Sequence, residues 1–354
     1  MTAAGADADG ERRSGLDAAG VVVLGACAAW PLITAAARDG RPEGMLLAVL
    51  AVAAGYAAGR IGGTLLPVAA PCAWALAGVG LTVAVPHLAP GPQIATPLGH
   101  AGATAAVLTL SAGAACCAAW AAPSSALRIA LHLGTAGIAV TAAVLGSAVG
   151  CAASALVLLA SLATARVRRR GAGILLLVLA TAAVTGLAWA VARDALPDGL
   201  AASLEGRLSA HRVGLWRDAL GMAHRHAGLG VGPGRFGELS TASGETLLSD
   251  GKPHSAPLQL AAEQGVVGVV LLALVFAWVL CALWRSPGST QVALTAGVAL
   301  TAVAAIATMG NALSFTAVSV GAGLLAGTAT ARPFTDAAPA RPQDARPRGD
   351  RLTR

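Results

Sequence analysis

The 354-residue chain is poor in charge: only 12% of its residues are Asp, Glu, Lys or Arg. A soluble domain carries roughly a quarter. That scarcity excludes the two or three soluble domains that length alone would suggest, and it excludes a disordered chain. Lysine is nearly missing, Lys252 being the one lysine among 24 basic residues. With alanine so abundant, this reads as GC-rich coding, and arginine in place of lysine carries little meaning by itself. No Cys-x-x-Cys occurs. Cys27, Cys72, Cys116, Cys117, Cys151 and Cys281 all sit inside apolar runs, as small packing residues do. A secreted disulfide scaffold and a thiol enzyme are thereby excluded. The formal charge of +7 does not indicate nucleic acid, because positively charged cytoplasmic loops give a membrane protein the same balance.

What the chain has is apolar sequence, 56% of all residues. A membrane-spanning helix takes about 20 residues, so there is material for roughly ten. Apolar runs recur at 20–37, 44–59, 63–85, 102–122, 129–146, 150–165, 171–192, 266–283, 292–309 and 313–328. The first follows Arg12 and Arg13 and ends in small residues, as a signal peptide would. It is long enough to cross a bilayer, and further runs follow, so it reads as the first span. The expected fold is an all-α, polytopic transmembrane helical bundle of about ten spans.

Arginines orient it. The cluster Arg166, Arg168, Arg169 and Arg170 marks a cytoplasmic loop. Counting from it places Arg60, Arg128, Arg285 and the C-terminal arginines inside, and puts the loop 86–100, which has no Lys or Arg, outside. Arg38 and Arg41 fall outside against the rule, partly offset by Asp39 and Glu43. Both termini are then cytoplasmic, with residues 1–19 and 329–354 expected as disordered tails. Residues 20–192 hold seven spans and 263–328 hold three. Between them, 193–262 is a large extracytoplasmic loop. The stretch 193–263 gathers 15 of the 41 charged residues and four of the seven histidines, and a long polar loop in a compact protein is usually functional.

Three features stand in that loop. Residues 212–226 pattern as an amphipathic helix, with Leu215, Trp216, Leu220 and Met222 apolar and Arg212, Arg217, His224 and Arg225 polar. Such a helix is expected at the membrane surface with Trp216 at headgroup level. A glycine-rich turn, Gly228 to Phe236, follows. It is no dinucleotide fingerprint, since no strand precedes it. Last comes Pro253-His254-Ser255-Ala256-Pro257, where Ser255 suits an N-cap and Pro257 a first turn. His254 then stands at a helix N-terminus, which favours an anion. Gly265 and Gly268 suit close approach to a neighbouring helix.

His254-Ser255, nine residues, then Gly265-Val266-Val267-Gly268 resembles the motif of the O-antigen ligase and O-antigen polymerase superfamily. Arg212-x-x-x-Trp216 followed by Gly230-Val231-Gly232-Pro233-Gly234-Arg235-Phe236 is similar to that family's upstream stretch. Many members also carry Ser-Arg-Gly near the external end of a middle span. The matching place here is Gly146-Ser147-Ala148-Val149-Gly150, without the arginine. The resemblance implies a GT-C-like membrane bundle and transfer of a glycan from a polyprenyl-diphosphate carrier to an acceptor hydroxyl outside the cytoplasm. It implies as partners a polyprenyl-diphosphate-linked glycan donor, a glycan or lipid acceptor and membrane lipids, with no nucleic acid, no cofactor and no metal ion.

The residues suit that chemistry. Guanidinium groups bind phosphate bidentately, which nominates Arg212, helped by Arg207 and Arg217. Histidine as a residue type titrates near neutrality and serves as a general base, which nominates His254. Trp216 and Glu263 join as substrate-side residues, Glu263 as a possible orienting acid. Gly230, Gly232, Gly234, Gly265 and Gly268 are the motif glycines. Competing readings are a lipid-linked glycan transporter or flippase, a non-catalytic assembly subunit suited by Ala148, and a different polyprenyl-phosphate transferase using Asp39 or Glu43 as base.

Overall fold

The computed structural model describes residues 3–88, 97–167, 169–193, 195, 210–240 and 252–332. Arg207 lies outside the described residues. Among the described residues the chain forms twelve α-helices: α1 Ala3–Arg38, α2 Glu43–Leu65, α3 Ala69–Leu88, α4 Pro97–Ala121, α5 Ser125–Val144, α6 Ala148–Thr164 and α7 Arg170–Ala192, then α8 Ala210–Arg225, α9 Phe236–Leu239, α10 Ala256–Trp284, α11 Thr290–Met309 and α12 Thr316–Thr330. Helix is the form that satisfies a single segment's backbone in hydrocarbon. Serines start three of these helices, with Ser124, Ser147 and Ser289 accepting from the N–H groups of Leu127, Gly150 and Val292.

The ten apolar runs coincide with ten helices, the run 63–85 also taking in the end of α2 and the run 313–328 starting just before α12. Among the described residues, seven helices are long and apolar enough to cross a membrane, while Ala69–Ala84, Ala148–Thr164 and Thr316–Thr330 are shorter apolar helices. At 1.5 Å per residue, the 15 residues of α12 reach about 22 Å, less than the ~30 Å hydrocarbon core. Helix α1 begins well before the expected first span, so residues 3–19, expected as tail, continue it. Their alanines favour that extension.

Helix α4 is the centre. It is apolar all round and buried over most of its length, packed by α3, α5, α6, α11 and α12. Its Ala105, Ala106, Ala112 and Ala118 are fully buried, and small side chains let five neighbours crowd one axis. Helix α11 lies beside it and also touches α6 and α7, while α1 pairs with α10. At one end of the bundle, Arg170 reaches the carbonyls of Leu283, Trp284, Ser286 and Gly288. It thereby ties the start of α7 to the α10–α11 turn. Four carbonyl contacts make Arg170 a structural residue.

The closest helix pair is α2 with α12. Gly55, Gly59 and Gly63 of α2 face Gly323 and Gly327 of α12. A Cβ added at Gly323 would lie 2.8 Å from Tyr56 N, and one at Gly327 would lie 2.8 Å from Arg60 N. Backbone therefore meets backbone with no room for a side chain, the small-residue contact that substitutes for a hydrophobic drive inside lipid. A leucine at Gly59 or Gly327 is expected to cost about 3 kcal/mol or more by overpacking. Thermal unfolding in detergent checks it: both variants should melt well below wild type, while Gly80→Leu, with nothing within 4 Å of its added Cβ, should not.

Candidate functional site

Helix α8 and the glycine turn form a small module with its own apolar core. Leu215, Trp216, Ala219, Leu220 and Met222 of α8 pack on Ala188, Val191 and Ala192 at the end of α7, and on Val231, Phe236, Leu258 and Ala262. The sequence reading expects Trp216 at headgroup level. Instead it is fully buried, 0% exposed, because the apolar face of α8 is covered by protein. The indole Nε1 donates to Pro253 O at 2.7 Å. Trp216 is thus the anchor that holds the segment before His254 against α8.

Arg212 sits one helical turn before Trp216, on the same face. Its Nη1 donates to Met309 O at 3.2 Å, at the end of α11. Burial pulls its pKa down from the ordinary value, yet an arginine keeps its charge in proteins. Arg217 is exposed beside the buried Trp216, and the neighbouring Asp218 accepts from Ser240 Oγ at 2.7 Å. Arg212 and the His254 segment are therefore drawn to one end of α8, and Arg217 projects from its other face.

His254 is half-buried and has φ +50°, the left-handed region. Histidine tolerates this better than most residues, but such a conformation persists only where surroundings impose it. Helix α10 starts immediately after. It does not run straight: Gly265 has φ +69° and ψ −162°, breaking the helix. In an unbroken helix Ala262 O would accept from Val266 N. Here Val266 N donates to Ala227 O at 2.9 Å, and Ala262 O and Glu263 O accept from Val231 N and Gly232 N at 2.9 and 3.0 Å. The glycine turn is plugged into the break in α10 by exchanged backbone hydrogen bonds.

The motif glycines follow from that exchange. Gly230 has φ +68°, and a Cβ on it would lie 2.5 Å from Gln264 N. A Cβ on Gly265 would lie 2.5 Å from Gly228 O. Gly232 and Gly234 also have positive φ and face Arg38 and Arg41. The sequence reading has Gly265 and Gly268 admit a neighbouring helix. In the structure Gly265 admits the turn 227–228, and Gly268 makes room for the Gln264 side chain, whose Oε1 would lie 3.1 Å from an added Cβ.

Glu263 is 3% exposed. Its carboxylate accepts from the backbone N–H groups of Gly234 and Phe236, and from Gln259 Nε2 at 3.4 Å. These bonds tie it to the glycine turn, so Glu263 shapes the module. Sequence reasoning missed the third wall, the α1–α2 turn. Arg41 N donates to Pro233 O at 2.7 Å, Arg235 Nη1 donates to Arg38 O at 2.7 Å, and Trp30 Nε1 donates to Gln264 O at 3.1 Å. Arg235 and Arg41 both approach Glu238, at 3.5 and 4.0 Å. The sequence reading singles out Arg38 and Arg41 only as exceptions to its expected orientation. Asp39, exposed with φ +53°, ends α1 in the left-handed conformation of a C-terminal cap.

The exchange makes a sharp contrast between two neighbouring glycines. Gly230→Ala combines a left-handed backbone, costing roughly 1–2 kcal/mol for a non-glycine residue, with the clash at Gln264. Gly228→Ala has nothing within 4 Å. Limited proteolysis of the external segment should be markedly faster in Gly230→Ala and unchanged in Gly228→Ala.

Residues 131–273 match the family model for O-antigen ligase, a span that contains α8, the glycine turn and the broken start of α10. No curated protein and no solved structure matches the chain. The match covers 143 of the 354 residues, makes that stretch similar to O-antigen ligase, and with the apolar helices supports a multi-pass membrane protein of polysaccharide assembly.

Proposed function

We propose that the protein is a membrane glycosyltransferase that moves a glycan from a polyprenyl-diphosphate carrier to an acceptor hydroxyl on the extracytoplasmic side, both termini being cytoplasmic. The observation that carries this reading is the Trp216 Nε1 bond to Pro253 O, which couples the helix bearing Arg212 to the segment bearing His254. A guanidinium for a diphosphate and an imidazole for a hydroxyl are thereby held by one small module at the membrane's edge. The partners are the lipid-linked glycan donor, the glycan or lipid acceptor, and membrane lipids.

In the reaction the acceptor hydroxyl attacks the anomeric carbon of the donor. His254 takes the hydroxyl proton, the new glycosidic bond forms, and the bond from the sugar to the diphosphate breaks. The leaving polyprenyl diphosphate carries negative charge, which Arg212 neutralises from its half-buried position, where charge interactions are stronger than in water. Ala148 stands where many family members have an arginine, so the guanidinium role falls on Arg212, with Arg207 and Arg217 as further contributors. Glu263 acts through the glycine turn.

With purified protein, donor and acceptor, His254→Ala should lower turnover by about a hundredfold or more, the usual weight of a general base. Arg212→Ala should weaken donor use by a similar factor, and Arg212→Lys should recover only part, because lysine lacks the bidentate fork. Full activity in His254→Ala would sink the mechanism.

A further inference from the structure

Helix α10 begins at Ser255, whose extended backbone (φ −152°, ψ 113°) is that of an N-cap. A serine there ordinarily accepts from an N–H two or three residues on, as Ser124, Ser147 and Ser289 do at 3.3, 3.1 and 3.3 Å. Ser255 makes no such bond. Its Oγ is buried, the residue 1% exposed, with no hydrogen-bond partner among the described residues. A buried hydroxyl without a partner is costly, and native proteins keep such groups mainly where something other than the chain satisfies them.

The surroundings say what that partner is. Pro257 removes one N–H from the first turn, leaving the Ala256 and Leu258 amides as first-turn donors that the helix itself does not use. The helix end carries partial positive charge and favours an anion. His254 and Ala256, on either side of Ser255, are half-exposed, so the helix end is reached from the external surface. The amides donate, the hydroxyl can donate, and the helix end is partly positive. Together they suit a phosphoryl oxygen and offer a cation no negative charge.

We propose that Ser255 Oγ, with the first-turn amides of α10, seats a phosphoryl oxygen of the lipid diphosphate, making Ser255 a substrate-binding residue beside His254. The inference rests on the transfer reading above and adds a second contact to the donor, from a different element than Arg212. No bond of the protein is formed or broken by it. The Ser255 hydroxyl donates a hydrogen bond, and its proton stays in place.

The test uses the full-length protein in detergent, with inorganic pyrophosphate as probe and thermal unfolding as readout, alongside turnover on the same variants. Wild type should gain melting temperature with pyrophosphate. Ser255→Ala should melt, without pyrophosphate, at or above the wild-type temperature, since no internal hydrogen bond is lost, and should bind pyrophosphate about tenfold more weakly, the loss of one charge-assisted bond. Ser255→Thr should restore binding. A lowered melting temperature of Ser255→Ala without ligand, matching that of Ser289→Ala, would overturn the proposal by making Oγ an ordinary cap. So would an unchanged pyrophosphate response in Ser255→Ala, or no response in wild type. If His254→Ala is inactive and Ser255→Ala binds as wild type, the transfer reading stands and the Ser255 seat fails. If His254→Ala is fully active while Ser255→Ala loses pyrophosphate, the seat stands and the His254 mechanism fails.

Discussion

The module of α8 and the glycine turn depends on one backbone exchange, the break in α10 at Gly265. A straight helix would consume Ala262 O and Glu263 O within its own ladder. The break releases both to Val231 N and Gly232 N, and sends Val266 N to Ala227 O. Backbone groups buried near a membrane must all find partners, so break and turn require each other. Neither side tolerates a Cβ at the crossing, where Gly230 and Gly265 approach each other's segments within contact distance. Glu263, buried between them, completes the turn by accepting from Gly234 and Phe236.

The candidate site residues are hung from that joint. The turn presents Phe236 and Val231 to the apolar face of α8, which buries Trp216. Trp216 in turn holds Pro253 and so places His254. Losing the Trp216 side chain would cost about 3–5 kcal/mol as a large-to-small core change, and would leave Pro253 O without its donor. The membrane bundle supplies the other support. Helix α1 pairs with α10 along its length, from Trp278 Nε1 on Leu16 O near one end to Trp30 Nε1 on Gln264 O near the other. The loop after α1 then reaches the glycine turn. The α1–α2 turn is thereby a wall of the candidate site, and its two arginines, Arg38 and Arg41, lie against the glycine turn.

Much of this was legible in the residues. Ten apolar runs marked ten apolar helices, because hydrophobicity and backbone satisfaction in lipid leave one solution. The scarce charge gathered in one stretch marked where α8 and the glycine turn lie. The motif glycines were legible as backbone devices, but their partners were not. Gly265 meets a turn 37 residues upstream in the chain, and no local pattern encodes a long-range exchange. Trp216 misled for a related reason: an amphipathic helix looks the same whether membrane or protein covers its apolar face. Glu263 looked like a group for the substrate, and only the fold aims it at the amides of Gly234 and Phe236. The missing cap at Ser255 was also illegible, since the same residue at the same kind of position does cap at Ser124, Ser147 and Ser289.

The central claim is that this module breaks the link between glycan and lipid diphosphate. The most direct measurement follows both products in proteoliposomes supplied with a polyprenyl-diphosphate glycan and an acceptor. The account predicts one free polyprenyl diphosphate released for each glycan joined to acceptor. Movement of the intact lipid-linked glycan across the bilayer, with no glycosidic bond formed, would contradict it and make the protein a carrier.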